Sequence, residues 1–378
     1  MDLSLTSAQQ LIRDSARDFL ATETPRSFVK EIDETDTGFS QELWSQMSEM
    51  GWVGMIIPEE YGGGGNNFTD VAVLFQELGS ACISSPLHSS VILGGLSILY
   101  AGSEQQKKDI LPSVANGQRI LSFALTEPDY GWGAESVNLE ATESGGEFTL
   151  NGTKLFVPDA HISDQIVVVA RTSKGNSPEE GVSLFLVDKN TSGLSTRIIS
   201  GWTGDKLNEV TFDNVKVPAS AVIGSVGSGW ATVSKVLDRA NVIMSAYVTG
   251  GLERLLDITV EYSKQRIAFG VPIGTFQRVQ DWIIVIVNDM ESTKWTTYEA
   301  LWKLDSDRDD AGTSIAMASV VASEGYPRSA EAAHHVHAGI GIDKEYGLYL
   351  YTKKARTLQS YLGDPVHHRR RIAQDLGM

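Results

Sequence analysis

Cysteine is nearly absent from this chain of 378 residues, in which Cys82 is the single example. One thiol excludes a disulfide within the chain and a zinc site built from several cysteines. The first residues also lack the basic and apolar regions of a secretory signal peptide. We therefore expect a cytoplasmic protein in a reducing compartment.

Long hydrophobic runs are absent too, and basic residues are few. No stretch approaches the roughly 18 apolar residues of a membrane-spanning helix, so no membrane span is expected. Lysine and arginine number 31 against 48 aspartates and glutamates, which gives a formal charge of -17. This excess of negative charge argues against nucleic acid and against anionic membrane surfaces as partners.

The composition is otherwise that of an ordinary folded protein, with 42% hydrophobic and 21% charged residues. These fractions exclude a disordered chain and a fibrous repeat. The length suits two or three domains, each large enough to bury its own core.

The spacing of hydrophobic residues changes twice along the chain and predicts three domains. Residues 1–116 have the period of helices, and Thr6 with Gln9 forms a possible capping box before the first one. Residues 117–226 contain short alternating strands rich in β-branched residues. Helical spacing returns over 227–378, in segments near 230–262, 277–305, 312–338 and 346–361. The predicted fold is α+β, with an N-terminal helical domain, a central β-barrel and a C-terminal four-helix bundle.

Four motifs occupy particular places in this three-part order. They are Leu125–Pro128 at the start of the β region, Asn151–Lys154 at a hairpin, and Arg266–Ile273 and Gly339–Gly341 among the helices. In this order they resemble the acyl-CoA dehydrogenase family, flavoproteins that oxidise the Cα–Cβ bond of a CoA thioester. The resemblance covers nearly the whole chain. It implies an acyl-CoA substrate and an electron-transferring flavoprotein as electron acceptor.

The resemblance also implies FAD as cofactor and indicates which residues would face its flavin ring. In the family, the segment after the Thr-Glu-Pro motif lies along the ring, so Leu125 and Thr126 would meet its polar edge. Phe156 matches an aromatic position beside the isoalloxazine, and Pro158 stands at the position near N5. A flat apolar wall orients the ring and keeps water away from it.

A second set matches the residues with which the family holds the FAD of a neighbouring subunit. Arginine offers fixed donors to phosphate, an aromatic ring offers a stacking face, and glycines allow close approach of the backbone. Sharing of FAD would make a single subunit incomplete, so the resemblance implies a homo- or hetero-tetramer. Residue chemistry alone leaves a surface ion pair and helix caps as another explanation. The matching residues are Arg266, Phe269, Gln277, His335, Gly339 and Gly341.

The sequence departs from the family at the catalytic base. The reaction needs a base, usually a glutamate, to remove the α proton while the β hydrogen leaves as hydride to flavin N5. Family members carry that glutamate at one of two places, which correspond here to Leu362 and to Ala240. Neither side chain can accept a proton.

A third departure lies near flavin N5. Where the family has an aromatic residue, any residue and then threonine, this chain has Phe156-Val157-Pro158. Proline has neither a hydroxyl nor a backbone N–H, so two donors that could steady the reduced flavin are missing. The sequence therefore predicts a catalytic centre that lacks both the usual base and the usual donors near flavin N5.

Three interpretations of these departures compete. We favour the base-lacking subunit of a heteromeric acyl-CoA dehydrogenase, in which a related chain supplies the glutamate; heteromeric relatives handle bulky thioesters such as those of sterol side chains. The second is a homotetramer that uses Asp364 or, after it, Asp238 as base, since burial can raise a carboxyl pKa. The plainer role for Asp364 is a cap or turn residue before Pro365. The third is a catalytically silent assembly scaffold.

Two groups of histidines near the C-terminus have spacing that can bind zinc. Neither cysteine nor an HExxH motif accompanies them, so no metal site is predicted. The groups are His334, His335 and His337, and then His367 and His368.

Overall fold

The computed structural model describes residues 4–199 and 205–378. Its first part is helical, and the predicted capping box is present. Gln9 N donates to Thr6 Oγ1 over 3.2 Å and Thr6 N donates to Gln9 Oε1 over 3.0 Å, which pairs two N–H groups that the first turn leaves free. A π-helical segment, Leu87–Gly95, is buried along its whole length and contacts the first strand. The α-helices of this part are α1 (Ser7–Glu23), α2 (Arg26–Glu34), α3 (Gln41–Glu49), α4 (Phe68–Ala81), α5 (Leu96–Ala101) and α6 (Glu104–Ala115).

The second part is a β domain with one large sheet, which confirms the predicted change of period. Its strands are β1 (Leu121–Ala124), β2 (Glu140–Ser144), β3 (Glu147–Pro158), β4 (Gln165–Arg171), β5 (Val182–Asp188), β6 (Leu194–Ile198), β7 (Leu207–Pro218) and β8 (Val222–Ile223). The strand order is β6-β7-β3-β2-β4-β5-β8, and β1 pairs with β4. Among the described strands, hydrogen bonds do not close the sheet into a complete barrel, since β6 pairs with β7 alone and β8 with β5 alone.

Strand β4 shows how the sheet joins two cores. Its residues alternate between faces, as the two-residue period of a strand requires. Val167 and Val169 pack into the large core shared with the helices, whereas Ile166, Val168 and Ala170 pack into a separate core inside the β domain. The β domain is therefore held against the helical parts by one face of its sheet.

The third part consists of long helices, as predicted. Helices α7 (Trp230–Gln265), α8 (Gln277–Asp305) and α9 (Ala311–His337) pack against one another, while α10 (Leu348–Leu358) and α11 (Pro365–Asp375) pack on α9. A two-stranded hairpin, β9 (Ile267–Ala268) and β10 (Val271–Pro272), joins α7 to α8. Helix α10 ends earlier than the predicted residue 361. None of the described helices combines the length and apolar character needed to cross a membrane.

Candidate active site

Two of the four sequence motifs meet in a buried ion pair. Lys154 Nζ donates to Glu127 Oε1 over 2.6 Å and to the carbonyl oxygen of Leu125 over 2.9 Å. Glu127 also accepts the backbone N–H groups of Asn138 and Leu139. Burial lowers the pKa of Lys154 to about 8, although Glu127 opposes this shift. The pair ties the segment around Leu125 to strand β3.

An open groove of about 430 Å³ lies beside this segment. Leu125, Thr126, Phe156 and Pro158, which the resemblance places along the flavin, all line it. The pairing of β3 with β7 is interrupted by a bulge between Lys154 and Val157, and Phe156 lies in it with a φ of 54°. Since a bulge bends its strand and re-aims a side chain, we attribute the partly exposed position of Phe156 at the groove to it.

Pro158 forms part of the wall at the end of β3. Its carbonyl oxygen accepts a hydrogen bond from Ser122 Oγ over 2.6 Å, which holds the backbone in place. Its nitrogen carries no proton to donate into the groove. Pro158 therefore offers the groove neither a hydroxyl nor a backbone N–H.

The two positions that the resemblance matches to the family's glutamate lie in different surroundings. Leu362 lines the groove, and its φ of 58° places it in the left-handed region, which is unusual for a leucine. Ala240 is fully buried in α7, and its carbonyl oxygen lies 3.0 Å from His88 Nε2. An apolar side chain therefore stands at each position.

The two alternative carboxylates are engaged in other contacts. Asp364 is the N-cap of α11, where its Oδ1 accepts the backbone N–H of His367 over 2.6 Å. Asp238 Oδ1 pairs with Arg371 Nη2 over 2.6 Å. Neither carboxylate is among the residues that line the groove. The geometry of Asp364 is that of the cap residue.

The second set of predicted cofactor residues lies away from the groove, and three of its members lie on or beside an exposed hairpin. Phe269 forms the tip of the β9–β10 hairpin, with a φ of 53° and 97% of its surface exposed. Arg266 and Gln277 are exposed at the ends of α7 and α8 that this hairpin connects. Among the described residues, no carboxylate forms an ion pair with Arg266, so the surface ion pair has no support.

His335 and the two glycines lie at and beyond the C-terminal end of α9. His335 stacks on Trp282, with ring centroids 4.3 Å apart and planes inclined by 14°. Gly339 has open space around it, whereas a Cβ at Gly341 would come within 2.7 Å of His334 Nδ1. Packing against α9 therefore favours glycine at position 341.

A smaller cavity of about 100 Å³ adjoins the groove, and Pro158, Leu207, Thr357 and Tyr361 line both spaces. We call it the inner cavity. Sequence reasoning missed its polar lining, because these residues come from distant parts of the chain and form no local motif. The sole local signal is that an aspartate directly follows Pro158. The polar lining includes Ser84, His88, Ser89, Asp159, Asp205 and Lys354.

The groove fits a flavin ring. It is open and largely apolar, and two aromatic side chains flank it. Both are partly exposed in the single chain, Tyr130 at 56% and Phe156 at 36%. Thr126 supplies a hydroxyl at the wall, and the buried pair of Glu127 and Lys154 makes the adjoining backbone rigid. Apolar walls with a few fixed polar groups are typical of cofactor sites. Within residues 4–199 and 205–378, no group of three metal-ligating side chains is present.

Comparisons with known proteins agree with this geometry. Models of the acyl-CoA dehydrogenase N-terminal, middle and C-terminal domains match residues 6–118, 122–215 and 227–377. Probable acyl-CoA dehydrogenase YngJ of Bacillus subtilis (strain 168) is 30% identical over 381 residues, covering 100% of both chains.

Two solved structures are similar over their full length. The structure of PigA with FAD and proline has a TM-score of 0.93 at 30% identity and covers 100% of this chain and 99% of that one. The ChsE4-ChsE5 complex from Mycobacterium tuberculosis has a TM-score of 0.91 at 25% identity, with coverage of 100% and 99%. The chain therefore belongs to the acyl-CoA dehydrogenase family of FAD-dependent oxidoreductases.

Proposed function

We propose that this chain is the base-lacking subunit of a heteromeric acyl-CoA dehydrogenase, and that a related partner chain supplies the catalytic glutamate. The observation that carries this proposal is Leu362, an apolar residue on the groove wall where the family has a carboxylate. When bound, FAD supplies the hydride acceptor for oxidation of an acyl-CoA thioester. Removal of the α proton still requires a base.

The other carboxylates considered from the sequence do not replace that base. Asp364 is used in capping α11 and Asp238 in pairing with Arg371. A base must reach the proton it removes within hydrogen-bond distance or through one water. Since neither residue lines the groove, the homotetramer with Asp364 as base has less support than the heteromer.

The exposed hairpin supports assembly with another chain. Phe269 and Ile267 present apolar side chains to solvent, at 97% and 54% exposure, and exposed apolar surface of this kind marks interaction sites. Arg266 lies beside them, and no carboxylate within residues 4–199 and 205–378 forms an ion pair with its guanidinium, which suits it to a phosphate of a neighbour's FAD. We infer a tetramer in which Arg266, Phe269 and Gln277 hold the cofactor across the interface, with His335, Gly339 and Gly341 nearby.

The proposal also covers the electron acceptor, the cellular compartment and the pairing with a second chain. Reduced FAD would pass its electrons to an electron-transferring flavoprotein, as the family resemblance implies. The cytoplasm is the proposed compartment, in keeping with a single cysteine, Cys82, that is buried. The ChsE4-ChsE5 complex, which has a similar fold, gives a precedent for pairing two chains of this kind.

Purification tests the proposal directly. The tagged chain is isolated from its native host and its partners are identified and counted by native mass spectrometry. We expect a second acyl-CoA dehydrogenase-like chain in equal amount, with a glutamate at its own base position, and flavin bound in the mixed assembly. A yellow homotetramer that oxidises a thioester would overturn the proposal, and a colourless assembly would favour the silent scaffold.

A further inference from the structure

The inner cavity contains four charged side chains, and two of them neutralise each other. Lys354 Nζ forms an ion pair with Asp205 and donates to Ser84 Oγ over 2.7 Å. Burial alone would raise the pKa of Asp205, but Lys354 holds it below its usual value. This pair therefore adds no net charge to the cavity.

The other cation of the lining is turned away from the cavity. Lys206 Nζ donates to the backbone carbonyl of Asp33 over 3.3 Å, and its aliphatic stem packs against Gly38. Residues 200–204, which directly precede Asp205 and Lys206 in the sequence, include no ionisable side chain. They can therefore supply no counter-charge.

Asp159 is the remaining charged residue, and it has no cationic partner among the described side chains. Its Oδ2 accepts a hydrogen bond from Ser89 Oγ over 2.6 Å. Burial raises the pKa of Asp159, because one hydroxyl only partly replaces the water that the carboxylate has lost. His161 and Lys354 lower this pKa by less than burial raises it, so the carboxylate is only partly compensated, and a ligand of opposite charge can complete the compensation.

Two other polar side chains of the cavity lining, His88 and Tyr361, do not neutralise the carboxylate of Asp159. His88 Nε2 faces the carbonyl oxygen of Ala240 over 3.0 Å and must carry the proton to make that bond. His88 Nδ1 is then an acceptor, and the Tyr361 hydroxyl donates a hydrogen bond to it over 3.3 Å. Burial lowers the pKa of His88 to about 4, so the imidazole is neutral near pH 7. Neither His88 nor Tyr361 therefore carries a positive charge that could neutralise the carboxylate of Asp159.

We propose that the inner cavity is a binding site for a short primary ammonium group, which pairs with the carboxylate of Asp159. The cavity volume of about 100 Å³ is smaller than the roughly 150 Å³ that holds a benzene molecule, so the ligand is a compact aliphatic amine. A sterol side chain is too large for it. The Tyr361 oxygen, which donates to His88, has lone pairs left to accept from the same ammonium.

Asp159 lines the inner cavity but is not among the residues lining the groove. If flavin and the reacting bond occupy the groove, the ammonium lies beyond that bond, at the far end of an acyl chain. The amine can come from two sources, the end of an aminoacyl thioester or a free alkylamine. The site does not depend on which subunit supplies the catalytic base.

Isothermal titration of the purified flavin-containing assembly, with any partner that co-purifies, tests the proposal. The probes are 4-aminobutyryl-CoA, butyryl-CoA and n-butylamine. We expect the aminoacyl thioester to bind roughly tenfold or more tightly than butyryl-CoA, as for a charge-assisted hydrogen bond in a buried site. Saturable binding of n-butylamine that depends on Asp159 would identify the free amine as a sufficient ligand, whereas binding of the thioester alone would identify the chain end.

Asp159→Asn removes the charge and keeps the shape of the side chain. It should bring the two thioesters to similar affinity without weakening butyryl-CoA, while Glu143→Gln, on the exposed face of β2, should leave the preference unchanged. Equal affinity of the two thioesters for the wild-type protein would overturn the proposal even if the variant fails to fold. An Asp159→Asn variant that keeps the preference for the aminoacyl thioester would also overturn it. If that variant loses flavin reduction as well, Asp159 acts as a base.

Discussion

Lys154 Nζ lies 2.6 Å from Glu127 Oε1 in the interior of the protein, and this contact joins the Thr-Glu-Pro motif to the Asn-Gly-Thr-Lys motif. Removing one partner of a buried ion pair leaves the other charge without compensation. We expect Lys154→Met to lower the free energy of unfolding by about 3 to 5 kcal/mol. Chemical denaturation followed by circular dichroism measures the change.

The matched control for this variant is Lys216→Met, since Lys216 lies exposed on β7. Its effect should stay within about 0.5 kcal/mol, the usual range for surface substitutions. A similar loss in both variants would mean that the destabilisation does not come from breaking the buried ion pair of Lys154 and Glu127. The Lys154→Met protein should also bind flavin more weakly, because Leu125 loses its hydrogen bond from Lys154.

The two motifs that meet here could be recognised from the sequence because each is a continuous stretch. The helix predicted over 277–305 also matches α8 in both bounds, since hydrophobic spacing is a local signal. The inner cavity could not be predicted in this way. Ser89 and Asp159 are 70 residues apart, and only the folded chain brings them together.

Asp364 shows a different limit of sequence reasoning. It is two residues from Leu362, which made it the nearest alternative base. The backbone between them takes a φ of 58° at Leu362 and 135° at Gly363, and the carboxylate points to the first turn of α11. Proximity in sequence therefore says little about direction where the chain turns sharply.

Asp364→Ala should affect stability but not chemistry. Loss of an N-cap side chain costs about 1 kcal/mol, and thermal unfolding should register this decrease. The rate of flavin reduction in the complete assembly should stay within about twofold of the wild type, because the carboxylate is outside the groove. A fall of roughly 100-fold or more, the usual contribution of a general base, would instead support the homotetramer that uses Asp364.

Acidification should destabilise the protein through His88. In the folded state the pKa of His88 is lowered to about 4 by burial, against an ordinary value of 6.5. Between these pH values the unfolded chain binds a proton that the folded chain excludes, so stability falls as pH falls from 6.5 toward 4. The contribution is about 3 kcal/mol, and denaturation measured across this range checks it.

The slope of stability against pH separates His88 from other histidines. His88→Asn should make the decline between pH 6.5 and 4 shallower, whatever its stability at neutral pH, and His368, whose pKa burial lowers to about 3, should account for part of the decline that is left. His335→Gln is the control, because His335 is half exposed and stacks on Trp282 at the surface. An unchanged slope in the His88→Asn protein would show that another group binds the proton.

Arg266 should hold FAD across a subunit interface. We expect Arg266→Ala to weaken flavin retention roughly 10- to 100-fold, as for loss of a hydrogen bond to a charged group. The measurement is the flavin-to-protein ratio of the complete assembly after dialysis. Arg308→Ala, at the exposed turn after α8, should retain flavin fully, and equal retention in both variants would contradict the shared clamp.

Leu362→Glu should give this chain its own base. The substitution places a carboxylate on the groove wall at a position that the resemblance matches to the family's glutamate, and general base catalysis contributes roughly 10²- to 10⁴-fold in rate. Flavin absorbance is followed under anaerobic conditions after mixing flavin-loaded protein with butyryl-CoA. We expect the variant to bleach and the wild-type chain to stay yellow in the absence of a partner.

Leu362→Gln controls for this gain, because it has the same shape as the glutamate variant and no proton-accepting charge. It should stay as inactive as the wild type while binding the thioester equally well. If the glutamate variant binds both flavin and thioester and still fails to bleach, the missing base is not the sole defect. The absent donor at Pro158 would then be the next restriction, and Pro158→Thr added to Leu362→Glu should restore the reaction.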